Sequence, residues 1–453
     1  MAFVLGEYRV QGRRASEIAA DVERAVGSGA LPPGTALPPL RDLAAELGVN
    51  PNTVAAAYRL LRDRGVIETA GRKGSRVRAR PVNAPRDRIR IPVPPGARDL
   101  ADGNPDPALL PPLGPALAVA AAAAERRPTL YGDPIADPGL LALAAAAYRE
   151  DGAPPGALAV CSGSLDAIGR VLAARLRPGD LVAVEDPGWG SVFDLLPALG
   201  LKVLPTALDD QGPLPGALAD ALAAGARALI VTSRAQNPTG AVVTAARAAE
   251  LRAVLAGHPD VLLIEDDHGH GMVDQPFHSL AAAPGGDPVV GHRALIRSAA
   301  KALAPDLRVS VLLGDQDTVD RVLGRQRLDT GWVSLLLQRT VAELWRAGGA
   351  PPEVVAAGYR ARREGLLRAL AARGIRAHGE SGLNVWVPVP DESAVTAALV
   401  QRGWVPAPGA RYRLQSPPGI RLTVSTLAPA EATALADDLA EILAGRDGGS
   451  RLI

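Results

Sequence analysis

The sequence predicts a two-part chain, in which a small, basic, helical domain precedes a larger α/β domain with a mostly parallel central sheet. Residues 13–80 contain three amphipathic helical patterns followed by a basic hairpin pattern. Residues 81–97 contain five prolines, which neither a helix nor a central strand tolerates. After them, seven short apolar runs alternate with helical stretches, and this alternation is typical of a parallel sheet covered by helices.

Length and cysteine content narrow the classes of protein that this chain represents. Its 453 residues exceed one ordinary domain, and we divide them into domains at 1–80 and 98–453 with a proline-rich linker at 81–97. A smaller C-terminal α+β subdomain is expected over roughly 340–453. The single cysteine, Cys161, excludes an internal disulfide framework. No charged-then-apolar leader opens the chain and no apolar run is long enough to span a bilayer, so a cytoplasmic location is expected.

The net charge of +1 is unevenly distributed. Residues 1–80 contain 13 Lys and Arg against 8 Asp and Glu, and eight of these basic residues fall between Arg59 and Arg80. Such a cluster suits contact with a phosphate backbone, although most charge runs are solvated surfaces.

The helical patterns end in a predicted helix-turn-helix. The stretches "ASEIAADVERAVGSG" and "LPPLRDLAAELG" each place three apolar residues on one stripe, namely Ile18, Val22 and Val26, and then Leu40, Leu43 and Leu47. In "VNPNTVAAAYRLLRDRG", Asn50 is a capping residue and Pro51 fits the first helical position. The buried stripe of this third helix is Val54, Tyr58 and Leu61. Small polar residues at its start suit entry into a major groove, and "VIETAGRKGSRVRARP" predicts two short strands around a basic wing.

Residues 13–80 resemble the winged helix-turn-helix of GntR-type bacterial regulators, above all over "SGALPPGTALPPLRDLAAELGVNPNTVAAAYRLLRDRGVIE". The resemblance implies that a homodimer binds double-stranded DNA with paired half-sites. It implies a DNA-facing set made of Arg41, Asn50, Asn52, Thr53, Tyr58, Arg72, Lys73 and Arg76. Asn52 takes the base-reading position, where the family often has arginine. Asparagine suits adenine, whereas arginine suits guanine.

Polar residues at the ends of the predicted strands form an ordered series in the second domain. "VCSGSLDAIG" opens a helix at Gly163, Ser164 and Leu165, where free amides suit a phosphate, as many strand-to-helix turns do. Trp189, beyond "VAVED", either covers a planar ring or fills a core. Asn237, in "QNPTG", either donates to a ring oxygen or simply opens a turn.

The stretch "LLIEDDHGHG" ends an apolar strand on consecutive carboxylates. Buried carboxylates are costly unless a cation lies beside them, and a protonated pyridine nitrogen is one such cation. Asp266, His268 and His270 also alternate on one strand face and offer a metal site as an alternative. We expect no metal, because the stretch ends in glycines and no further spaced His or Cys group completes a site.

Lysine is nearly absent from this chain, since only Lys73, Lys202 and Lys301 occur among 49 basic residues. Arginine keeps its proton, whereas an amine can lose it and condense with an aldehyde. Lys301 lies in "RSAAKALAPDLR", where Ser298 and Arg308 flank it at spacings suited to holding a phosphate. The alternative interpretation is that Lys301 is an ordinary solvated lysine without a chemical role.

Residues 98–453 resemble the fold-type I aminotransferases that use pyridoxal 5'-phosphate, from "YGDPIADPGLLALAAAAY" to "GIRLTVSTL". The resemblance implies that Lys301 captures the cofactor aldehyde, that Asp266 pairs with the pyridinium and that Asn237 contacts the ring oxygen. It implies further that Trp189 stacks on the ring, that Arg421 clamps a substrate or effector carboxylate, and that Tyr131 reaches the phosphate of the neighbouring subunit. The implied phosphate cradle is Gly163, Ser164, Leu165, Ser298 and Arg308. His268 stands where the family commonly has a tyrosine, so an imidazole would supply the bond to the ring oxygen.

A winged helix joined to such a domain is the layout of the MocR subfamily of GntR-type regulators. This resemblance implies a transcription regulator that senses pyridoxal phosphate, or an amino compound that reacts with it, and modulates DNA binding. The alternative is an aminotransferase with a fused DNA-binding segment, in which Lys301 also carries a proton at the substrate α-carbon.

Overall fold

A computed structural model describes residues 8–27, 30–31, 34–63, 66–69, 74–77, 86, 90–283, 286–347 and 352–447. These residues form two units. The smaller one consists mainly of the first 84 residues, with the short segments Arg177–Asp180 and Leu196–Lys202, and the larger one takes the remainder. Among them, no helix combines the length and the apolar character that crossing a membrane requires.

The smaller unit contains three helices and a two-stranded hairpin. The helices are α1 (Ala15–Gly27), α2 (Leu40–Leu47) and α3 (Pro51–Asp63). Strands β1 (Ile67–Thr69) and β2 (Ser75–Val77) pair antiparallel, with Ile67 opposite Val77. The predicted winged helix-turn-helix is therefore confirmed.

The three helices share one apolar core, which the predicted stripes supply. Its buried members include Ile18, Val22, Leu43, Val54, Tyr58 and Leu61. The prediction for Leu40 is wrong, since this residue opens α2 and its side chain is 39% exposed. The stripe of α2 thus begins one turn later than the sequence pattern indicates.

Asn50 caps the start of α3. Its Oδ1 accepts a hydrogen bond from the backbone N–H of Asn52 at 2.8 Å, and its carbonyl accepts one from the N–H of Thr53 at 2.8 Å. Pro51 takes the first helical position, where a missing N–H costs no hydrogen bond. These contacts hold the helix start while leaving the side chain of Asn52 exposed.

Tyr58 lies in the core of the smaller unit, which corrects its predicted contact with DNA. The side chain is 1% exposed, and its hydroxyl donates to the carbonyl of Pro38 at 2.9 Å. Burial also raises the pKa of the phenol above its ordinary value. The hydroxyl therefore ties α3 to the segment before α2, and we remove Tyr58 from the set of phosphate contacts.

The larger unit alternates strands and helices along the chain. Its helices are α4 (Leu113–Arg126), α5 (Pro138–Glu150), α6 (Ser164–Arg175), α7 (Gly190–Ala198), α8 (Pro215–Ala223), α9 (Ala245–Ala256), α10 (Gln316–Leu328), α11 (Leu335–Ala347), α12 (Pro352–Ala371), α13 (Glu392–Gln401) and α14 (Pro429–Asp447). Its strands are β3 (Arg98–Leu100), β4 (Ala157–Cys161), β5 (Leu181–Asp186), β6 (Lys202–Asp209), β7 (Gly212–Pro213), β8 (Ala226–Thr232), β9 (Leu262–Asp266), β10 (His292–Ser298), β11 (Ser310–Gly314), β12 (Asn384–Pro388), β13 (Trp404–Pro408) and β14 (Gly419–Thr423).

Eight strands form the central sheet, in the order β4–β11–β10–β9–β8–β5–β6–β7. β10, β9, β8 and β5 are mutually parallel, whereas β11 is antiparallel to both of its neighbours, so β4 points the same way as β10. All seven runs predicted as strands lie in this sheet, which confirms the mostly parallel architecture. The carboxyl ends of five strands, β4, β5, β8, β9 and β10, consequently collect along one edge.

A second sheet of four strands has the order β12–β14–β13–β3. Its core includes Val385 and Leu422 from the sheet and Leu435 and Leu439 from α14. β3 comes first in the larger unit, yet it pairs in parallel with β13 near the end of the chain. The C-terminal subdomain that the sequence predicts thus also takes in this short strand directly after the linker.

Candidate functional site

A cavity of about 350 Å³ opens at the edge where the carboxyl ends of the central strands collect. It brings together ten of the residues predicted for the site, which are Ser164, Leu165, Trp189, Asn237, Asp266, His268, Ser298, Lys301, Arg308 and Arg421. β14 of the second sheet delivers Arg421, and the carboxyl ends of the central strands and the segments that follow them deliver the others. A site assembled from so many separate elements is typical of ligand binding in an α/β domain.

Lys301 lies just beyond β10, with its amine inside the cavity. The Nζ donates a hydrogen bond to the carbonyl of Gly103. Burial, aided by the positive charge of Arg421, lowers the pKa of the Lys301 amine to about 8, while Asp102 acts in the opposite direction. The amine is therefore unprotonated far more often near neutral pH than an ordinary lysine, which is the state that attacks an aldehyde.

The lowered pKa of Lys301 predicts the pH dependence of aldehyde capture. Only the neutral amine reacts, so the capture rate should rise with pH through a midpoint of about 8. At neutral pH the rate should exceed that of an ordinary lysine at least about a hundredfold. Stopped-flow absorbance with pyridoxal phosphate over a pH series measures this midpoint. Arg421→Gln should move it upward, and a wild-type midpoint near the 10.5 of a free lysine would contradict the prediction.

Asp266 ends β9 and is buried, with two neighbours on its carboxylate. The hydroxyl of Ser164 donates to Oδ1 at 2.8 Å, and Nδ1 of His268 lies 3.2 Å from Oδ2. Among the residues that the structure describes, no lysine or arginine forms an ion pair with this carboxylate. A buried carboxylate without a strong cationic partner suits a ligand that brings a positive charge, such as a protonated ring nitrogen.

His268 is partly buried and lines the cavity beside Asp266. Because its Nδ1 faces the carboxylate, Nε2 is the ring nitrogen left for any other contact. The imidazole can therefore form a hydrogen bond to the ring oxygen of a ligand only through Nε2, whereas the expected tyrosine would use its phenol hydroxyl.

The turn between β4 and α6 and the guanidinium of Arg308 form one side of the cavity. Gly163 has a φ of +92°, which favours glycine over other residues, and a Cβ at this position would lie 2.5 Å from Nη2 of Arg308 and would displace that guanidinium. Arg308 itself has a φ of +47°, and its Nη2 donates to the carbonyl of Ser162 at 3.0 Å. The amides that begin α6, together with this guanidinium, make a place suited to an anion such as a phosphate.

Asn237 and Arg421 meet across the two sheets of the larger unit. Nη1 of Arg421 donates to Oδ1 of Asn237 at 2.9 Å, and Nη2 donates to the carbonyl of Ala101. The guanidinium also lies over the ring of Tyr412, 4.7 Å from its centroid. Trp189 lines the same part of the cavity and is partly exposed to it.

Two of the predicted residues do not line the cavity. Gly163 acts through its backbone conformation and through the close approach of Arg308. Tyr131 is 93% exposed on the surface and packs edge-on against Trp332, with ring centroids 5.6 Å apart.

Sequence reasoning missed several residues that line the cavity, including Gly103, Ser191, Thr232 and Asn384. Gly103 contributes a backbone carbonyl, which no side-chain pattern reveals. Asn384 starts β12, more than seventy residues after Arg308, and its Oδ1 accepts from Oγ1 of Thr423 at 3.0 Å. Thr232 alone carried a usable signal, because it ends a predicted strand.

The metal alternative at Asp266, His268 and His270 is not assembled. His268 lies against Asp266, whereas His270 belongs to a different group with Asp151 and Asp267. The side chains that alternate in the sequence diverge here because the chain leaves β9 at Asp266 and turns.

The predicted DNA-facing residues lie in the smaller unit. Arg41 and Asn52 are exposed, and Thr53 is partly buried. Arg76 is exposed and pairs with Glu68 across the hairpin at 2.6 Å. Arg72 and Lys73 lie outside the described residues.

Comparisons with protein families identify both parts of the chain. The family model described as "Aminotransferase class I and II" matches residues 99–439. The model described as "Bacterial regulatory proteins, gntR family" matches residues 14–77.

Several curated relatives of this chain are transcriptional regulators. The vitamin B6 salvage pathway transcriptional repressor PtsJ of Salmonella typhimurium is 37% identical over 442 residues, which are 96% of this chain and 99% of that protein. The transcriptional regulator TauR of Rhodobacter capsulatus is 29% identical, over 82% of each chain. The pyridoxine biosynthesis transcriptional regulator PdxR of Corynebacterium glutamicum is 30% identical over 59% of this chain and 60% of that protein.

Solved structures support the fold of the larger unit. A Thermus thermophilus aspartate aminotransferase variant is 25% identical, covers 77% of this chain and 92% of its own, and has a TM-score of 0.66. The α-aminoadipate aminotransferase LysN of Thermus thermophilus is 22% identical over the same shares, also with a TM-score of 0.66.

Proteins of the aminotransferase class normally bind pyridoxal phosphate. The residues of this cavity fit that group on three separate counts. Asp266 is a buried carboxylate that lacks a lysine or arginine partner among the described residues, and Gly163 leaves room that a Cβ would fill beside Arg308. The Lys301 amine has a lowered pKa and projects into the same cavity.

Proposed function

This chain belongs to the MocR-type regulators, in which a GntR-family winged helix is joined to a class I and II aminotransferase domain. We therefore propose that it senses pyridoxal phosphate at Lys301 and modulates its DNA binding accordingly. The chain is a transcriptional regulator, and the proposal concerns its cofactor, effector and assembly. A regulator of this kind acts where the chromosome lies, so the proposed location is the cytoplasm.

The cofactor supplies a reactive aldehyde on an electron-poor ring when it is bound. Lys301 provides the neutral amine, and the Gly103 carbonyl orients that amine. Asp266 would hold the proton of the ring nitrogen, with the hydroxyl of Ser164 fixing its carboxylate. Arg308 and the amides at the start of α6 would hold the phosphate, and Trp189 would cover the ring face.

The observation that carries this proposal is the convergence of Lys301, Asp266 and the Gly163 turn on one cavity of about 350 Å³. Arg421 extends the same cavity with a buried guanidinium suited to a carboxylate. We therefore include small amino compounds that carry a carboxylate among the proposed effectors.

Borohydride reduction of the protein with pyridoxal phosphate, followed by peptide mass mapping, tests the proposal. Reduction makes the bond between an amine and the aldehyde permanent, so the map reports which lysine captured the cofactor. The chain supplies its own control, because it contains only Lys73, Lys202 and Lys301. Stoichiometric labelling at Lys301 is expected, and labelling spread over the three lysines would argue for adventitious chemistry.

The start of α3 should govern which bases are read. Asn52→Ala should reduce discrimination at one base pair by about 1–3 kcal/mol, because asparagine bonds adenine through two groups. Arg41→Ala should instead weaken all sequences similarly and lower the salt slope by about one. Fluorescence anisotropy over an operator and its single-base variants measures both effects.

Arg62→Ala is the matched control, because this exposed arginine lies in the last turn of α3, away from the helix start. An unchanged base preference for Asn52→Ala would place base reading elsewhere.

We propose a homodimer in which Tyr131 reaches the phosphate of the partner. The support is the 93% exposure of this tyrosine and its packing on Trp332, which holds it in place on the surface. Tyr131→Phe should retain the dimer but weaken pyridoxal phosphate binding about tenfold through the lost hydroxyl. Sedimentation and cofactor titration measure the two effects. A monomer with unaltered cofactor affinity would rule out this arrangement.

Arg86 offers a physical link between the cavity and the linker. Its N–H donates to Oδ2 of Asp194 at 2.6 Å, and its Nη1 donates to the carbonyls of Ala410 and Arg413, each at 3.1 Å. Asp194 lies on α7, directly after Trp189, and Ala410 precedes the Tyr412 ring that stacks on Arg421. A shift of either segment on cofactor or effector binding would therefore reach the linker through Arg86.

A further inference from the structure

The larger unit contains a second cavity of about 350 Å³, behind the segment that carries Lys301. Its polar wall includes Asp151, Arg234, His270 and Arg297, and its apolar wall includes Leu303 and Trp345. Neither the predicted cofactor site nor the predicted DNA surface uses these residues.

Four buried or partly buried charges form a balanced network at the polar wall. Nε of Arg234 donates to Oδ1 of Asp267 at 2.8 Å, and its Nη2 donates to Oδ2 at 2.7 Å. Nε of Arg297 donates to Oδ2 of Asp267 at 2.9 Å, and its Nη2 donates to Asp151. Two guanidiniums thus neutralise two carboxylates, and these cations lower the pKa of Asp267 despite its burial.

A metal ion does not suit this group, although Asp151, Asp267 and His270 place ligand atoms within 4.8 Å of one another. The two arginines already neutralise both carboxylates, and a cation would lie beside their guanidiniums. Burial, with help from Arg297, lowers the pKa of His270 to about 4, so its imidazole is neutral at physiological pH. The network as a whole carries no excess charge.

The other walls of the cavity indicate which kind of ligand fits it. Its wall includes the apolar side chains of Leu303, Val341 and Leu344, and the ring of Trp345 lies tilted against His270 at 5.6 Å. Flat apolar molecules pack well against such aromatic edges. Because the charges of the network already cancel, an added negative charge would remain uncompensated.

We propose that this second cavity is a binding site for a small, uncharged aromatic molecule that packs against the ring of Trp345 and the apolar side chains beside it. The site adjoins Lys301 through one shared wall. Ser298 lines both cavities, Ala299 and Ala302 face the second one, and Ala300 and Lys301 face the first. Occupancy of the second cavity therefore alters pyridoxal phosphate affinity at the first, a coupling that rests on the proposed function.

Saturation-transfer NMR with benzamide tests whether the second cavity binds such a molecule in the full-length protein, with and without pyridoxal phosphate. Ala147 lines the cavity from α5, so Ala147→Phe fills it, whereas Ala142→Phe adds the same group at an exposed position of the same helix. Binding should survive in Ala142→Phe and weaken at least about tenfold in Ala147→Phe.

Absent benzamide binding in the wild type, or equal binding in both phenylalanine variants, would overturn the site. Tighter binding of benzoate than of benzamide would overturn the uncharged class. If the two cavities are coupled, saturating benzamide should shift the affinity for pyridoxal phosphate at least about threefold, and an unchanged affinity would overturn the coupling. The absorbance of the bound cofactor, measured without benzamide, tests the proposed function on its own. Failure of the second binding site can therefore be distinguished from failure of the proposed function.

Discussion

Replacing Lys301 with alanine is expected to abolish covalent capture of pyridoxal phosphate. The cavity offers one buried amine with a lowered pKa, and the described lining residues include no second lysine that could form an imine with the aldehyde in its place. Purified wild-type protein should gain a long-wavelength absorption band on adding the cofactor, and Lys301→Ala should gain none. The cofactor should still bind weakly through its ring and phosphate.

Lys202→Ala is the matched control, because Lys202 is exposed at the start of β6. This variant should keep the full band. A Lys301→Ala protein that retains the wild-type band would show that another residue captures the aldehyde.

Replacing Asp266 with asparagine is expected to weaken pyridoxal phosphate binding by about two orders of magnitude, or about 3 kcal/mol. The amide keeps the size of the side chain and can still accept the hydrogen bond from Ser164. It removes the buried negative charge, so a protonated ring nitrogen loses its counter-ion. Absorbance titration measures the dissociation constant, and the position of the band reports the protonation of the ring.

Asp220→Asn removes the same charge from an exposed position on α8 and should bind the cofactor like the wild type. Superimposable titrations for Asp266→Asn and the wild type would mean that Asp266 does not face the ring nitrogen.

The elements of this protein are largely predictable because local patterns determine them. Parallel strands buried on both faces appear as short apolar runs, and all seven such runs lie in the central sheet. Asn50 and Pro51 mark the start of α3 through local capping rules. The order of polar strand ends was sufficient to nominate Asp266 and Lys301, because parallel strands bring their carboxyl ends together.

Contacts between distant segments were not predictable in the same way. The hydroxyl of Tyr58 donates to the carbonyl of Pro38, twenty residues earlier, and sequence alone does not reveal that the Tyr58 side chain is buried. Arg421 meets Asn237 only because the second sheet packs beside the first cavity. The network of Arg234, Asp267 and Arg297 joins three segments. Consecutive acidic residues gave no indication that Asp266 lines the first cavity whereas Asp267 is buried in ion pairs with two arginines.

Operator binding measured with and without pyridoxal phosphate, in the wild type and in Lys301→Ala, tests the central claim most directly. If capture at Lys301 controls the winged helix, the cofactor should change the operator dissociation constant of the wild type at least about fivefold, a coupling of about 1 kcal/mol. The same cofactor should leave Lys301→Ala unchanged, while both proteins bind DNA equally well without it. Equal affinities of the wild type in the two conditions, with the cofactor demonstrably bound, would contradict the account.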